Sequence, residues 1–181
     1  MYPGMEVAVN HRYGGVGLAM GGKIMENISG ESLPNLYMKH LIQPLGLAIT
    51  AADGTSGGAV GTAMDFARIG QMMLNGGAYG NKRYLRPETI QKMQPIPGHD
   101  RWDPPGNEIR WGIGIKQFDS DNLSDQAYGH PGASGTCLVV DPKYDLVISM
   151  TRYDEGSVFK DFLIRKGKVY KAILDHIEPG K

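Results

Sequence analysis

Three shortages narrow what this chain can be. It holds one cysteine, Cys137, in 181 residues, so an intramolecular disulfide and a cysteine-built zinc site are both excluded. A single thiol between Thr136 and Leu138 in an apolar stretch is expected to be buried and inert. It has no charge excess: 19 Lys and Arg balance 19 Asp and Glu, which argues against a nucleic-acid or anionic-membrane footprint. It has no apolar run long enough to span a bilayer. Residues 1–20 are too polar and glycine-rich to form the apolar core of a signal peptide. Glycine, by contrast, is abundant at 26 residues, about twice ordinary usage. Of the ten methionines, several fall on helix faces, and they read as core filler. The length suits one large domain, or a domain with a separate subregion.

Apolar spacing along the chain predicts helices first. Val16, Met20, Ile24 and Ile28 repeat every four residues, predicting a helix over 16–28 that ends at Ser29-Gly30. Ser32 is placed to cap a second helix through about Gln43, with Leu33, Leu36, Tyr37 and Leu41 on one face and Pro44-Leu-Gly as its stop. Residues 50–61 read as a loop. Thr62, with Asp65 three residues on, resembles a capping box. It opens a helix whose Phe66, Ile69, Gly70 and Met73 share a face and whose end is Asn75-Gly-Gly. A short helix should follow Pro87.

Residues 95–110, with Pro95, Pro97, Pro104 and Pro105 among charges and Trp102, read as a long surface loop. Strands are then expected over Trp111–Phe118, 126–132, 135–141 and 145–152, with Asp141-Pro-Lys-Tyr as a hairpin turn. Helical spacing returns from about Val158 to Ile177, with a possible kink at Gly167. Helices, then consecutive strands, then a covering helix is an α+β order. The expected divisions are a helical region over 1–95, a surface loop over 96–110, and strands plus a C-terminal helix over 111–181.

The most informative stretch is His130-Pro-Gly-Ala-Ser-Gly-Thr136. A polar, glycine-containing strand edge can set a side chain and backbone N–H groups against a bound carbonyl. Tyr13-Gly-Gly-Val-Gly is a candidate for the facing wall. With Lys23-Ile-Met-Glu-Asn-Ile-Ser-Gly, Pro44-Leu-Gly-Leu, the run Thr62-Ala-Met-Asp-Phe-Ala-Arg-Ile-Gly to Asn75-Gly-Gly, and Trp111-Gly-Ile-Gly, these segments resemble the serine β-lactamase and penicillin-binding-protein-like superfamily. The resemblance is nearest its class C, D-alanyl carboxypeptidase and esterase branch, and covers nearly all of the chain.

That resemblance implies a partial β-lactamase/transpeptidase-like fold. It casts Tyr13 as general base or proton relay, a phenol that needs nearby cations because its free pKa is about 10. It casts His130 as the group that orients a substrate carboxylate or relays a proton. The N–H of Ala133 would be one of two oxyanion-hole donors, and Gly132 would let substrate approach the strand closely. Gly15 stands where the family has a substrate-contacting Asn, and Pro131 where a Thr is common.

The family's Ser-x-x-Lys nucleophile has no counterpart before Tyr13. Ser157-Val-Phe-Lys160 matches the pattern, but about 0.5 such matches arise by chance and this one follows the His130 strand, so it reads as a helix cap with a solvated lysine. Ser134 lies between strands, unlike a nucleophile elbow. Gly17 to Ile24 is one residue short of a phosphate loop and lacks its Ser or Thr. His99, Asp100 and Asp103 sit in a proline-rich loop without fixed spacing, and no metal or cofactor is expected. His11, His40 and His176 have no partner pattern.

The expected activity is therefore that of the C-terminal part of a serine hydrolase. Its reaction is acyl-serine hydrolysis of a β-lactam, D-Ala peptide or ester, and the chain alone is expected to be inactive. The alternative is a non-catalytic binding protein of the same fold. Expected partners are acyl small molecules or peptides, with a missing N-terminal segment or partner chain completing the site. The resemblance implies a periplasmic or secreted setting. Unpaired apolar faces are expected where that missing part would cover them.

Overall fold

The computed structural model describes residues 14–50, 54–95, 110–118, 122–132, 135–151, 168–173 and 175–176. The first helix, α1, spans Gly15–Ser29 and ends at Gly30 in a left-handed conformation, as the four-residue apolar spacing requires of a helix. What that spacing does not foretell is the direction of the stripe. Val16 and Ile28 are 76% and 82% exposed, and Met20 and Ile24 are exposed with them. The buried residue of α1 is Gly22. A Cβ there would stand 2.7 Å from Thr55 Cγ2 and 2.8 Å from Leu33 Cδ1. The helix packs by its smallest residue, and the Thr55 hydroxyl donates to the Leu18 carbonyl to hold the following loop against it.

The second expected helix is a composite. Leu33–Tyr37 form α2, which passes through a π turn at Met38–Ile42 into the short α3, Gln43–Leu45. Pro44 lies inside this run and does not stop it. Its ring would crowd the carbonyl four residues back and it offers no N–H. The wider π turn relieves both, with Gln43 N–H reaching back five residues to Met38 O. Left-handed Gly46 is the actual terminator. Ser32 occupies the N-cap position but makes no side-chain capping bond.

The helix α4, Ala63–Leu74, carries a complete capping box. Thr62 Oγ1 accepts from Asp65 N–H at 3.2 Å, while the Asp65 carboxylate accepts from Thr62 N–H at 3.0 Å and from its hydroxyl at 2.7 Å. The same carboxylate accepts the Ala48 N–H at 3.0 Å, tying α4 to the chain that leaves α3. These bonds, the Thr62 hydroxyl first, hold the Asp65 carboxyl below the usual aspartate range.

A hairpin absent from the sequence reading follows: β1, Ala78–Tyr79, pairs with β2, Lys82–Arg83. Its signal was the two-residue connection Gly80-Asn81, with Gly80 at φ 57°. The helix after Pro87 is α5, Pro87–Met93.

The sheet has four antiparallel strands in the order β3, Lys116–Gln117; β4, Tyr128–Pro131; β5, Cys137–Asp141; and β6, Leu146–Met150. The expected strand over Trp111–Phe118 is corrected. Only Lys116 and Gln117 join the sheet, and Trp111 folds back to bridge Lys116. Gly114, at φ 73°, makes that reversal. The turn at Asp141-Pro-Lys-Tyr forms as expected, through a 3₁₀ turn at Pro142–Tyr144. The buried Asp141 carboxylate anchors it, accepting from Ser124 N–H at 2.8 Å, from the Ser124 hydroxyl, and from Lys143 N–H at 3.2 Å.

Both sheet faces are covered. Cys137, Val139 and Ile148 pack with Tyr170 of the helical residues 168–173. Val140 and Tyr128 pack with Met72 and Met73 of α4 and Ile90 of α5. Close approach of α4 depends on Gly70, where a Cβ would stand 2.7 Å from Val147 Cγ1 and 2.9 Å from Leu138 Cδ1. Cys137 is buried, its sulfur 3.2 Å from the Tyr170 hydroxyl. Helices preceding a covered antiparallel sheet are the α+β order that the sequence implies. No helix among the described residues is long and apolar enough to cross a membrane. The expected loop over residues 96–109, and the C-terminal helix beyond residues 168–173 with its kink at Gly167, lie outside the described residues.

Candidate active site

His130 is the third residue of β4, paired across the ladder with Leu138. The residue before it fixes the strand. Gly129 lies so close to β5 that a Cβ would stand 2.0 Å from the Leu138 carbonyl oxygen. After it, Pro131 has no N–H to give to a ladder. Gly132 N–H then donates to Thr136 O at 2.8 Å, and Gly135 N–H to Gly132 O at 3.1 Å, closing a tight turn. The space a Gly132 side chain would take is filled by Thr136 Oγ1, 2.0 Å from the ideal Cβ position. This packing requires glycine whether or not a ligand approaches there.

The imidazole of His130 is half-buried, with the Trp111 ring tilted against it at a centroid distance of 5.9 Å. Burial holds its pKa below the ordinary histidine value and the Lys116 cation pushes the same way, against a backbone bond at Pro131 that favours the charged form. A neutral imidazole at neutral pH has one donor and one acceptor nitrogen, which suits proton relay. Trp111 entered the sequence reading only within a motif and as the start of an expected strand, and Lys116 only as an unnamed position in that strand. Both become neighbours of His130 because residues 110–117 fold back on themselves, which their alternation did not signal.

Gly15 belongs to the helical layer. It is the first residue of α1, and its ideal Cβ position lies 3.3 Å from Ser56 Cβ and Oγ. The loop 54–57 is thus seated on the start of α1 by Ser56 and on its middle by Thr55. Tyr13, Ala133, Ser134, Ser157, Lys160, His11, His99, Asp100 and Asp103 lie outside the described residues. His40 and His176 are exposed. Ser149, in register with Leu138 and so on the row of His130, has a buried hydroxyl without a hydrogen-bond partner among the described residues. A groove of about 440 Å3, lined by Gln91, Gln94, Arg110 and Tyr128 among others, does not include His130.

Residues 6–162 match the family model described as Beta-lactamase. The chain belongs to the beta-lactamase family. A protein of Escherichia coli (strain K12) named as a D-alanyl-D-alanine carboxypeptidase is 30% identical over 105 residues, 57% of this chain and 24% of its own length. An N-acetylmuramyl-L-alanine amidase of Bacillus subtilis (strain 168) is 32% identical over 111 residues, with the same two shares. This beta-lactamase-family chain therefore spans about a quarter of the length of those curated relatives. The crystal structure of a beta-lactamase from Mycobacterium bovis superposes with a TM-score of 0.73 at 21% identity, over 92% of this chain and 64% of that one. At that identity the likeness establishes the fold, a β-lactamase/transpeptidase-like arrangement of helices and antiparallel sheet covering part of the neighbour's chain.

Proposed function

We propose that this chain forms two walls of the acyl-binding cleft of a serine hydrolase acting on a β-lactam, a D-Ala peptide or an ester, and that a separate Ser-x-x-Lys segment supplies the nucleophile. The observation that supports the reading is His130, a half-buried imidazole whose pKa is lowered by burial on a glycine-locked strand; the resemblance assigns it the family's Lys/His role. In this reading Tyr13 and Gly15 form the facing wall. Tyr13 relays the proton taken from the serine, and His130 orients the substrate or passes a proton to the leaving group. The Ala133 N–H and the nucleophile's own amide hold the oxyanion.

The exposed stripe of α1 supports the missing segment. Val16, Met20, Ile24 and Ile28 present a continuous apolar row to solvent, and a row of that kind marks a contact surface. The coverage of 64% of the Mycobacterium bovis structure leaves more than a third of that fold without a counterpart here.

A fluorescent penicillin tests the reading. The 181-residue chain alone should take no covalent label. The reading frame upstream of codon 1, if it carries Ser-x-x-Lys, should give a longer product that labels on serine and loses turnover at least tenfold on His130→Ala. Covalent labelling of the chain alone would overturn the proposal. A stop codon directly upstream would favour a non-catalytic binding protein of the same fold.

A further inference from the structure

Between the helical elements lies a concavity of about 290 Å3 that the candidate site does not use. Its walls are Tyr37 and the π-turn residues Leu41 and Ile42 on one side, and Phe66 and Ile69 of α4 on the other, with Ile49 between. Its roof is the loop of Gly54, Thr55, Gly57 and Ala59. We propose that this pocket binds the hydrocarbon part of an acyl group of medium length, and so selects the acyl chain of the substrate.

Four observations carry the proposal. The lining is chemically one-sided: no charged side chain lines it among the described residues. Of its two hydroxyls, that of Thr55 is committed to the Leu18 carbonyl. Among the described residues a phosphate, sugar or carboxylate would find no charged partner there, whereas a hydrocarbon gains by leaving water. Burial also raises the Tyr37 phenol, keeping it neutral.

The size is restrictive. Small-molecule pockets run from about 300 to 1,000 Å3, so this one takes a chain of medium length or one ring, not a long lipid.

The shape is built by backbone. Gly54 and Gly57 have nothing within 4 Å of where a Cβ would stand, so the roof carries no side chain at these two positions to fill the space. Thr50 and Val60 clasp the loop's base through N–H to O bonds of 2.8 and 3.1 Å. The opposite wall includes two residues of a π turn, a geometry enriched at functional sites.

The position is the last observation. Ser56, in the same roof loop, lies 3.3 Å from the ideal Cβ position of Gly15. One short loop therefore roofs the acyl pocket and abuts Gly15, which the proposed function places in the facing wall. The link to substrate choice rests on the proposed function. The binding event does not, and the two fail separately.

Titrating sodium decanoate into the 181-residue chain by calorimetry reads the pocket alone. Saturable one-to-one binding is expected. Leu41→Trp, which fills the cavity, should weaken it at least tenfold. Should Leu41→Trp fail to fold, Ala59→Trp on the exposed roof applies the same block. Phe66→Ala, which enlarges the cavity, should move the preference from octanoate or decanoate toward dodecanoate. Ile24→Glu and Met20→Glu on the α1 stripe should leave binding unchanged. Absence of saturable decanoate binding overturns the proposal. So does binding that survives a folded cavity-filling variant, or binding lost through the stripe variants, which would mean adsorption on α1. Penicillin labelling of a longer product could fail while decanoate still binds, and that result would sink only the catalytic reading.

Discussion

Two helices of this chain, α1 and α4, both carry apolar residues at four-residue spacing, and they end in opposite surroundings. In α4 the glycine lies at the centre of the buried face. Gly70 meets Val147 and Leu138 of the sheet, and Met72 and Met73 are buried beside it. In α1 the glycine is again the buried residue, but the apolar stripe faces water. The start of α4 is fixed by a reciprocal capping box, whereas α1 begins at Gly14 without a side-chain capping bond. Spacing sets where a helix forms and which residues share a face. It does not say what that face will meet, because the partner lies elsewhere in the chain or outside it. On this contrast α4 buries its apolar face against the sheet, while α1 leaves its apolar stripe exposed.

The contrast is broken most forcefully at the glycines. Gly70→Leu drives a side chain into Val147 and Leu138 and should cost roughly 1–3 kcal/mol, the usual penalty for overpacking a core. Gly21→Ala in α1 has nothing within 4 Å of its new Cβ. It should stabilise the chain by about 0.5–1 kcal/mol through helix propensity alone. Urea midpoints of the two variants, measured side by side, should move in opposite directions. Equal losses would mean that α1 is packed as tightly as α4.

The caps give a smaller version of the same test. Thr62→Ala removes a bond to Asp65 N–H and one donor to its carboxylate, and should cost about 1 kcal/mol. Gly14→Ser at the uncapped start of α1 should gain only a few tenths of a kcal/mol. Thermal midpoints would show it, and a large gain at Gly14 would mean that α1 is limited by its end, not by its uncovered face.

The capping box at Thr62 and Asp65 was legible in full because every atom of it is local. The strand order around His130, and the turn at Asp141, were legible because alternation and turn residues are also short-range. The π turn before Pro44 was not, since the proline reads as a stop until the wider turn is seen to absorb it. The reversal at Gly114 was hidden by an alternation that mimics one long strand. The neighbours of His130 depend on that reversal, so the candidate residue could be named from sequence while its electrostatics could not. The pocket under the loop 54–59 left no sequence signal beyond the glycines, because an empty space is made by what the surrounding backbone holds apart.

Acid separates the two regions last and most gently. Burial lowers the His130 pKa from 6.5, so between the lowered value and 6.5 the unfolded chain binds more protons than the folded one. Its contribution is complete above pH 6.5 and is lost as pH falls through the folded value. Asp65 is lowered from 3.8, so its contribution is complete above that and disappears only in stronger acid. The sheet region should weaken first as pH drops from 7.5 to 5, before the cap of α4 is touched. Urea midpoints across that range should fall for the wild-type chain and stay flatter for His130→Gln, which keeps a polar side chain without titrating. A variant that falls as steeply as the wild type would place the sensitive group elsewhere. It would also mean that the strand does not hold this imidazole neutral, and would take away the reason for proposing His130 as a proton relay.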